Sequence, residues 1–390
     1  MRINYITSES LARSSGGWSG LSCSLYHDLA RQPSLTLNYV GPVHPPVRRT
    51  AKLASKLRRV LGGQGSFYPF SEDRLAEVGA RVDAQRRDAD YDLFIGVTRW
   101  IRCRSARPYG AYLDACFRTY FNNNLPVDEF CPADIARIEA AERQWLAGAT
   151  HVFWASAWAR DEAVRHYGLG SENHHVVGIG GNLAIPDADT WAGDLSFLFI
   201  AQNFALKGGV TACAAFRAVQ QRHPQARLVI LGQQPPDGLL RQPGVEYAGY
   251  LRKDRPAELA RLRALLGSAF GLVYPTTSDT IGQVIIECGY CGCPAIAPRA
   301  FAIPEIVVGK QTGLLIDTPF EARDFAAAML WLIDNRAAYV AMRHAARAHA
   351  VTDFSFAGVT RRLAESMRSA LPRPRAGSSS LATPQPHGVS

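Results

Sequence analysis

Asp279-Thr280-Ile281-Gly282-Gln283-Val284-Ile285-Ile286-Glu287 sets two carboxylates eight positions apart, and the reading of this stretch decides the fold. Ahead of it, residues 270–275 (FGLVYP) form a short apolar run that reads as a buried parallel strand ending at Thr276. The succession is strand, polar loop with an acid, Gly282 at a helix start, then a second acid about one and a half turns into the helix. With about 1.5 Å of rise per residue, Glu287 stands roughly 7–8 Å along the axis from the first amides. Those amides have no partner within the helix and sit at the positive end of its dipole, so an anion such as a diphosphate can rest on them. Asp279 then faces what hangs from one end of the diphosphate and Glu287 what hangs from the other, a cradle suited to a nucleotide sugar. Taken alone, an acid near a helix start serves equally well as a cap.

Working outward, short apolar strands alternate with helices. In the amino-terminal part, strands are expected at residues 3–6, 35–40, 93–97, 110–113 and 151–155, with helices at about 21–30 and 134–146. A glycine-rich loop, Ser14-Ser15-Gly16-Gly17-Trp18-Ser19-Gly20, follows the first strand. A second unit begins near Asp194, with strands at 197–201, 228–232 and 271–274 and helices at 208–222, 257–266 and 282–289. Such alternation predicts an α/β protein of two Rossmann-like β/α/β domains, each a parallel sheet with helices on both faces. Ligands of such sheets bind beyond the carboxyl ends of the strands. Gly16, Gly17, Asp114, Lys207 and Asp279 all fall at strand ends, and two domains facing across a cleft would bring them together.

The expected division is 1–186 for the first domain and 187–355 for the second, with a linker at about 178–189. Residues 372–390 are rich in Pro, Ser and Gly and nearly devoid of apolar side chains, so a disordered tail is expected.

The chain has 390 residues, 47% hydrophobic and 20% charged, ordinary for a globular enzyme. Its net charge of +9 favours anionic partners. No helix-turn-helix and no basic groove with interleaved aromatics appears, so nucleic acid is not among them. The opening MRINYITSES turns polar at Thr7, and no apolar run approaches membrane-spanning length, which predicts a cytoplasmic protein. Residues 48–60 (RRTAKLASKLRRV) carry six cations among Leu53, Leu57 and Val60; on a helix this is either a solvated face or a basic amphipathic surface for the anionic inner leaflet. The eight cysteines show no disulfide framework. Cys288, Cys291 and Cys293 form C-x2-C-x-C, but no nearby His completes a tetrahedral set, and they read as small buried thiols.

Individual side chains sharpen the picture. Gly16 and Gly17 let a substrate approach the backbone amides, or make an ordinary turn. Lys207 precedes Gly208-Gly209 at a helix start, where a cation is unfavourable unless an anion is bound beside it. Asp114 ends the strand GAYLD, and Thr98 and Arg99 follow LFIGV; each is a site candidate or a cap. Tyr250 follows VEYAG and either lines a nucleobase pocket or packs.

Three stretches together resemble the family 4 retaining glycosyltransferases, enzymes of the GT-B fold with an E-x7-E type donor site. The first is SDTIGQVIIECGYCGCPAIA with the later IPEIVVGKQTGLLID, in which Asp279, Gly282, Glu287, Gly292, Pro294, Pro304, Glu305, Thr312, Gly313 and Leu314 match in order. The second is FLFIAQNFALKGGVTACAAFRAV, with Lys207-Gly208 in the place of the phosphate-binding Lys-Gly. The third is ATHVFWASAWARDEAVRHYGL, like the family's strand–helix unit ahead of the linker. The resemblance covers residues 145–370 well and the first third only in layout. It departs twice: the opening acid is Asp279 rather than Glu, and Gln202 stands where the family places an Arg that helps neutralise the diphosphate.

The resemblance implies a retaining, metal-independent transfer of a hexose from a nucleoside diphosphate sugar to a glycan or lipid-linked acceptor, in cell-surface polysaccharide synthesis and without a cofactor. It implies that helix 356–370 crosses back onto the first domain. It casts Asp279, Lys207 and Asp114 as catalytic, with Asp279 on the sugar hydroxyls. Glu287 would hold the ribose, Tyr250 the base, and Gly16, Gly17, Thr280, Ile281, Gly282 and Gln202 the rest of the donor, with Arg99 supplying the charge that Gln202 lacks. A silent sugar-nucleotide-binding or scaffold protein and a nucleotide-sugar 2-epimerase of the same fold are the other readings; the second would carry a Thr-Glu-Arg-Pro type segment, which is absent.

Overall fold

Runs such as Tyr91–Ile95 and His151–Trp154 are buried along their whole length, as strands covered on both faces by helices must be. The computed structural model describes residues 1–11, 20–46, 57 and 64–369. The first unit runs β1 (Arg2–Thr7), α1 (Leu21–Leu29), β2 (Thr36–Val40), α2 (Glu72–Gln85), β3 (Tyr91–Ile95), β4 (Tyr109–Leu113), α3 (Phe117–Asn124), α4 (Pro132–Ala147), β5 (His151–Trp154), α5 (Ala157–Tyr167) and β6 (His174–Val176). The second runs β7 (Ser196–Ala201), α6 (Gly209–Arg222), β8 (Arg227–Gly232), α7 (Asp237–Leu240), β9 (Val245–Gly249), α8 (Pro256–Ser268), β10 (Gly271–Val273), α9 (Gln283–Tyr290), β11 (Ala295–Pro298), α10 (Ile303–Ile306) and β12 (Gly313–Ile316). Three helices close the chain: α11 (Ala322–Asp334), α12 (Arg336–Asp353) and α13 (Phe356–Ser369).

Each unit is a parallel six-stranded sheet, ordered β2-β1-β3-β4-β5-β6 and β12-β11-β10-β7-β8-β9. Both orders reverse direction beside the first strand of the unit, and the carboxyl ends of the central strands therefore open towards the cleft. The helix α13 packs on α1 and β5, and Arg362 Nε donates to the Val177 carbonyl at 2.8 Å. One apolar cluster joins Ile3, Tyr5 and Leu93 of the first sheet to Val359, Leu363 and Met367 of α13 and to Leu198 and Leu272 of the second. Among the described residues no helix is long and apolar enough to cross a membrane.

Polar contacts fix how the units meet. The Glu305 carboxylate, at the start of α10, accepts from the first amides of α5, Ala157 N at 2.8 Å and Trp158 N at 2.7 Å. Tyr290 OH accepts from Gly181 N at 2.9 Å and donates to the Phe354 carbonyl at 2.5 Å, tying together the two passages of chain between the units. Gly181 must be small, since a Cβ there would lie 2.7 Å from the Tyr290 ring.

The expected elements are present with ends shifted by a residue or two, and β6, β9, β11, β12, α2, α3, α7, α10, α11 and α12 add to them. Gly16 and Gly17 lie outside the described residues, as do 48–60 apart from Leu57 and the tail 372–390. Cys288, Cys291 and Cys293 are buried free thiols at the end of α9, and burial first of all holds the Cys291 thiol up to about 12.

Arg343 on α12 is 2% exposed and anchors the second unit. It donates to both oxygens of Asp189 at 2.6 and 2.7 Å and to the carbonyls of Ala269 (2.7 Å) and Cys291 (3.0 Å). Replacing it by Met removes the cation and strands these acceptors. Arg343→Met is expected to cost about 3 kcal/mol, as for other broken buried pairs, read from the urea unfolding midpoint. A loss under about 1 kcal/mol, the level of an exposed pair, would show that this anchor is dispensable.

Candidate active site

The loop after β10 ends at Gly282, whose φ of +67° lets the chain turn abruptly into α9. The Asp279 carboxylate sits on the amino end of that helix. Its Oδ1 accepts from Thr280 N at 2.8 Å and from Gly282 N at 3.2 Å. Its Oδ2 takes the Lys207 ammonium at 2.9 Å and the Tyr274 hydroxyl in a short contact. The Tyr274 hydroxyl is pushed far above its usual range, by burial first and by the Asp279 charge next, so it remains a donor. Asp279 thus braces two amides of the loop that leads into α9, just ahead of the helix's own first residue, Gln283.

Lys207 is placed by the turn that starts α6. Gly208 has φ +80°, and a Cβ there would lie 2.0 Å from the Pro275 carbonyl oxygen, so the Lys207 segment lies directly against the end of β10. The Lys207 ammonium also donates to the Ser278 carbonyl. Ser278 in turn reaches the other unit, donating to the Asn123 carbonyl at 2.8 Å or the Asn124 side chain at 3.0 Å.

Glu287, buried within α9, is held in the same manner. Its Oε1 accepts from Asn182 N at 2.9 Å and from the Lys253 ammonium in a short contact. Each acid of the pair therefore has a lysine on it. Lys253 and Asn182 were not among the residues expected from the sequence. Lys253 follows the end of β9 by four residues, so the strand-end rule that selected Lys207 would also have found it.

A cavity of about 610 Å³ lies between the units. Asp114, Gln202, Lys207, Tyr250, Asp279, Thr280, Ile281 and Glu287 all line it, together with Lys253 and Asn182. Asp114 accepts from the Thr280 hydroxyl at 3.1 Å, across the cleft. Tyr250 is 54% exposed at the rim, and Leu231, Leu251, Leu262 and Leu266 give the adjoining wall an apolar character. Gln202 is exposed at the end of β7 and adds hydrogen-bonding capacity without charge. Arg99 is a correction: it does not line the cavity, and its Nη1 lies 3.1 Å from His44 Nδ1 instead.

An aperture of this size, with an apolar wall at one end and acid–lysine pairs at the other, suits a ligand with a flat ring, a diphosphate and a polyhydroxylated group. Among the described residues, no group of three or more His, Cys, Asp or Glu gathers to hold a metal ion.

Residues 195–335 match the model of the family described as glycosyl transferases group 1. A D-inositol 3-phosphate glycosyltransferase of Pseudarthrobacter chlorophenolicus is 29% identical over 226 residues, 54% of this chain and 54% of its own length. A glycogen synthase of Mycobacterium tuberculosis is 25% identical over 236 residues, 56% of this chain and 54% of its own. The chain spans about half the length of the curated relatives it matches. Among solved structures, the sucrose-phosphate synthase of Thermosynechococcus elongatus aligns with a TM-score of 0.69 at 15% identity, over 95% of this chain and 98% of that one. Anabaena HepE in complex with UDP and glucose aligns with a TM-score of 0.63 at 17% identity, over 95% and 100%. Likeness at such identities is one of fold, and it extends over both sheets. The chain has the two-domain GT-B fold, and residues 195–335 of its second sheet match the model of the glycosyl transferases group 1 family.

Proposed function

We propose that the chain is a retaining hexosyltransferase that moves a sugar from a nucleoside diphosphate to a glycan or lipid-linked acceptor, in cell-surface polysaccharide synthesis. One observation carries this reading: both acids of the Asp279–Glu287 pair open onto one interdomain cavity, and each is held there by a lysine. An arriving diphosphate competes with Asp279 for the Lys207 ammonium and the amides of the loop leading into α9. Its oxygens carry more charge than a carboxylate, and the donors are already aimed. Asp279, displaced from the amides, turns to the sugar hydroxyls and steadies the ring as it gains oxocarbenium character. Ribose hydroxyls replace Lys253 on Glu287. The Lys253 ammonium, set free, is then a second cation beside the diphosphate and takes up the role that Gln202 cannot fill.

In this reading the glycosidic bond to the diphosphate breaks on the face where the acceptor hydroxyl attacks. The leaving diphosphate takes the acceptor's proton, and Lys207 stabilises the charge that develops on it. Asp114, hydrogen-bonded to Thr280, presents a carboxylate to the sugar from the first domain. Lys207, Lys253 and helix amides supply the positive field that a divalent ion supplies in other transferases. Because HepE was solved with UDP and glucose, a UDP-linked hexose is the first donor to test. A cytoplasmic protein touching anionic lipid through residues 48–60 fits a lipid-linked acceptor. The second reading, a protein that binds sugar nucleotides without turning them over, rests on Gln202. Calorimetry with UDP, GDP and ADP, paired with donor hydrolysis and product analysis without acceptor, separates transfer, silent binding and epimerisation.

The two acids should fail in different ways. Asp279→Asn keeps an acceptor for the loop amides but removes the charge facing the transition state, so kcat falls while nucleoside diphosphate binds as well as before or more tightly, Lys207 being released. Glu287→Gln loses charge-assisted bonds to ribose, worth about 1.5–3 kcal/mol each, and weakens UDP binding roughly 10- to 100-fold. Parent-like binding and turnover in both variants would make the pair structural and sink the proposal.

Activity should persist in full after exhaustive chelation with EDTA. Activity that disappears with the chelator and returns with Mn²⁺ or Mg²⁺ would refute a lysine-and-amide mechanism.

A further inference from the structure

We propose that the cleft edge of the first sheet carries an anion site, built by His44, Arg74 and Arg99, that takes a phosphate or carboxylate group of the acceptor. The anion site stands on its own geometry; its assignment to the acceptor rests on the transferase reading.

His44 follows β2 by four residues, Arg99 follows β3 by four, and Arg74 is in the first turn of α2. β2, β1, β3 and β4 are successive neighbours in the sheet, and β4 ends one residue before Asp114. With strands about 4.8 Å apart, the cluster and Asp114 share one edge, a few strand spacings from one another. Three spacings are about 14 Å, so an acceptor of two or more sugar units spans the distance from His44 to Asp114.

The His44 ring lies between two guanidinium groups, with Arg74 Nη2 at 2.7 Å from Nε2 and Arg99 Nη1 at 3.1 Å from Nδ1. Arginine is donor only, and a neutral imidazole has one acceptor nitrogen. One of the two contacts therefore sets N–H against N–H, and protonating the ring would set both so. Burial first, then the charges of Arg99, Arg74 and Arg81, hold His44 down to about 4, so the ring is neutral. It has an N–H and no acceptor to give it to.

Among the described residues no carboxylate stands at ion-pair distance from either cation, and the Glu9 charge acts on Arg99 only from farther off. Arg74 is buried and donates to the carbonyls of Pro45 (2.8 Å) and Pro46 (3.1 Å), and to the Tyr68 hydroxyl at 3.4 Å. Arg99 is half-buried, and its Nε is buried with no hydrogen-bond partner. Among the described residues no carboxylate forms an ion pair with either arginine, while Arg81 has Glu77 at 3.2 Å. Two poorly hydrated cations and a ring N–H without an acceptor form a set that is costly when empty. An oxyanion lying against Arg99 accepts from its Nε and from the imidazole N–H and brings to hydrogen-bond distance the negative charge that Glu9 supplies only from farther off, as a forked guanidinium site does for phosphate or carboxylate.

The test is a calorimetric titration of the full chain at 10 °C with inorganic phosphate and, separately, with acetate. Ionic strength is matched with NaCl, and UDP is kept saturating so that the donor site is filled. Saturable binding of at least one anion is expected, with unchanged UDP affinity in every variant. Arg99→Gln should weaken anion binding by at least ~10-fold, and Arg99→Lys, which keeps charge but not the fork, should fall between. Phosphate alone binding marks a phosphorylated acceptor; acetate alone marks a carboxylated one. Absence of saturable binding to the parent chain, or parent-like binding by Arg99→Gln, overturns the proposal. UDP binding on the same samples reports separately on the donor site. If UDP does not bind, Lys207→Ala replaces it as the means of silencing that site, and anion binding through Arg99 then survives while the transferase reading does not.

Discussion

The Asp279 carboxylate meets four donors at once: two amides of the loop leading into α9, the Lys207 ammonium and the Tyr274 hydroxyl. These come from the end of β10, the turn before α6 and the loop ahead of α9, so one small group sets the distances among the three segments that frame one side of the cleft. Loop amides buried at a domain interface need such a partner, because no strand or helix satisfies them. The charge on Asp279 makes the partner strong, and the positive end of the helix dipole adds to it. Without this contact Lys207 would stand beside that positive end with nothing to offset it.

The same arrangement means that the acids and lysines lining the cavity are paired with one another. Lys207 is taken by Asp279 and Lys253 by Glu287, and a ligand enters by exchanging partners rather than by filling vacant sites. A ligand with anionic oxygens at one point and hydroxyl donors at two others satisfies all four side chains together. A lone inorganic anion satisfies only the lysines and leaves both acids bare. Selectivity for a composite ligand thus lies in the pairing itself.

Much of this was legible in the chain before any coordinates. The strand ahead of Asp279, the glycine at the helix start and the periodic apolar run after it placed the loop and α9, and the strand-end rule placed Asp114, Lys207 and Asp279 in one cleft. The rule says which edge of a sheet a residue occupies and nothing about the direction its side chain takes. Arg99 illustrates this: it follows a central strand by four residues and its Nη1 lies against His44. The partners of the acids were missed because they depend on distances between distant segments, such as the 105 positions separating Asn182 from Glu287. β6 escaped notice because His174 and His175 dilute its apolar signal, and α12 because alanines and arginines blur the boundary of its buried face.

Glu305 has a bearing on how such a chain can change over evolutionary time. It lies in the second domain and covers the first amides of a helix in the first. The apolar cluster likewise runs through α13 into both sheets. Neither half is a self-contained cassette. A recombination event that brought in a new first domain would inherit a helix start that expects a foreign carboxylate, along with an apolar face cut to the old α13. New ligand specificity is therefore more readily reached by substitutions in the loops that follow the strands of the first sheet than by exchange of the whole domain.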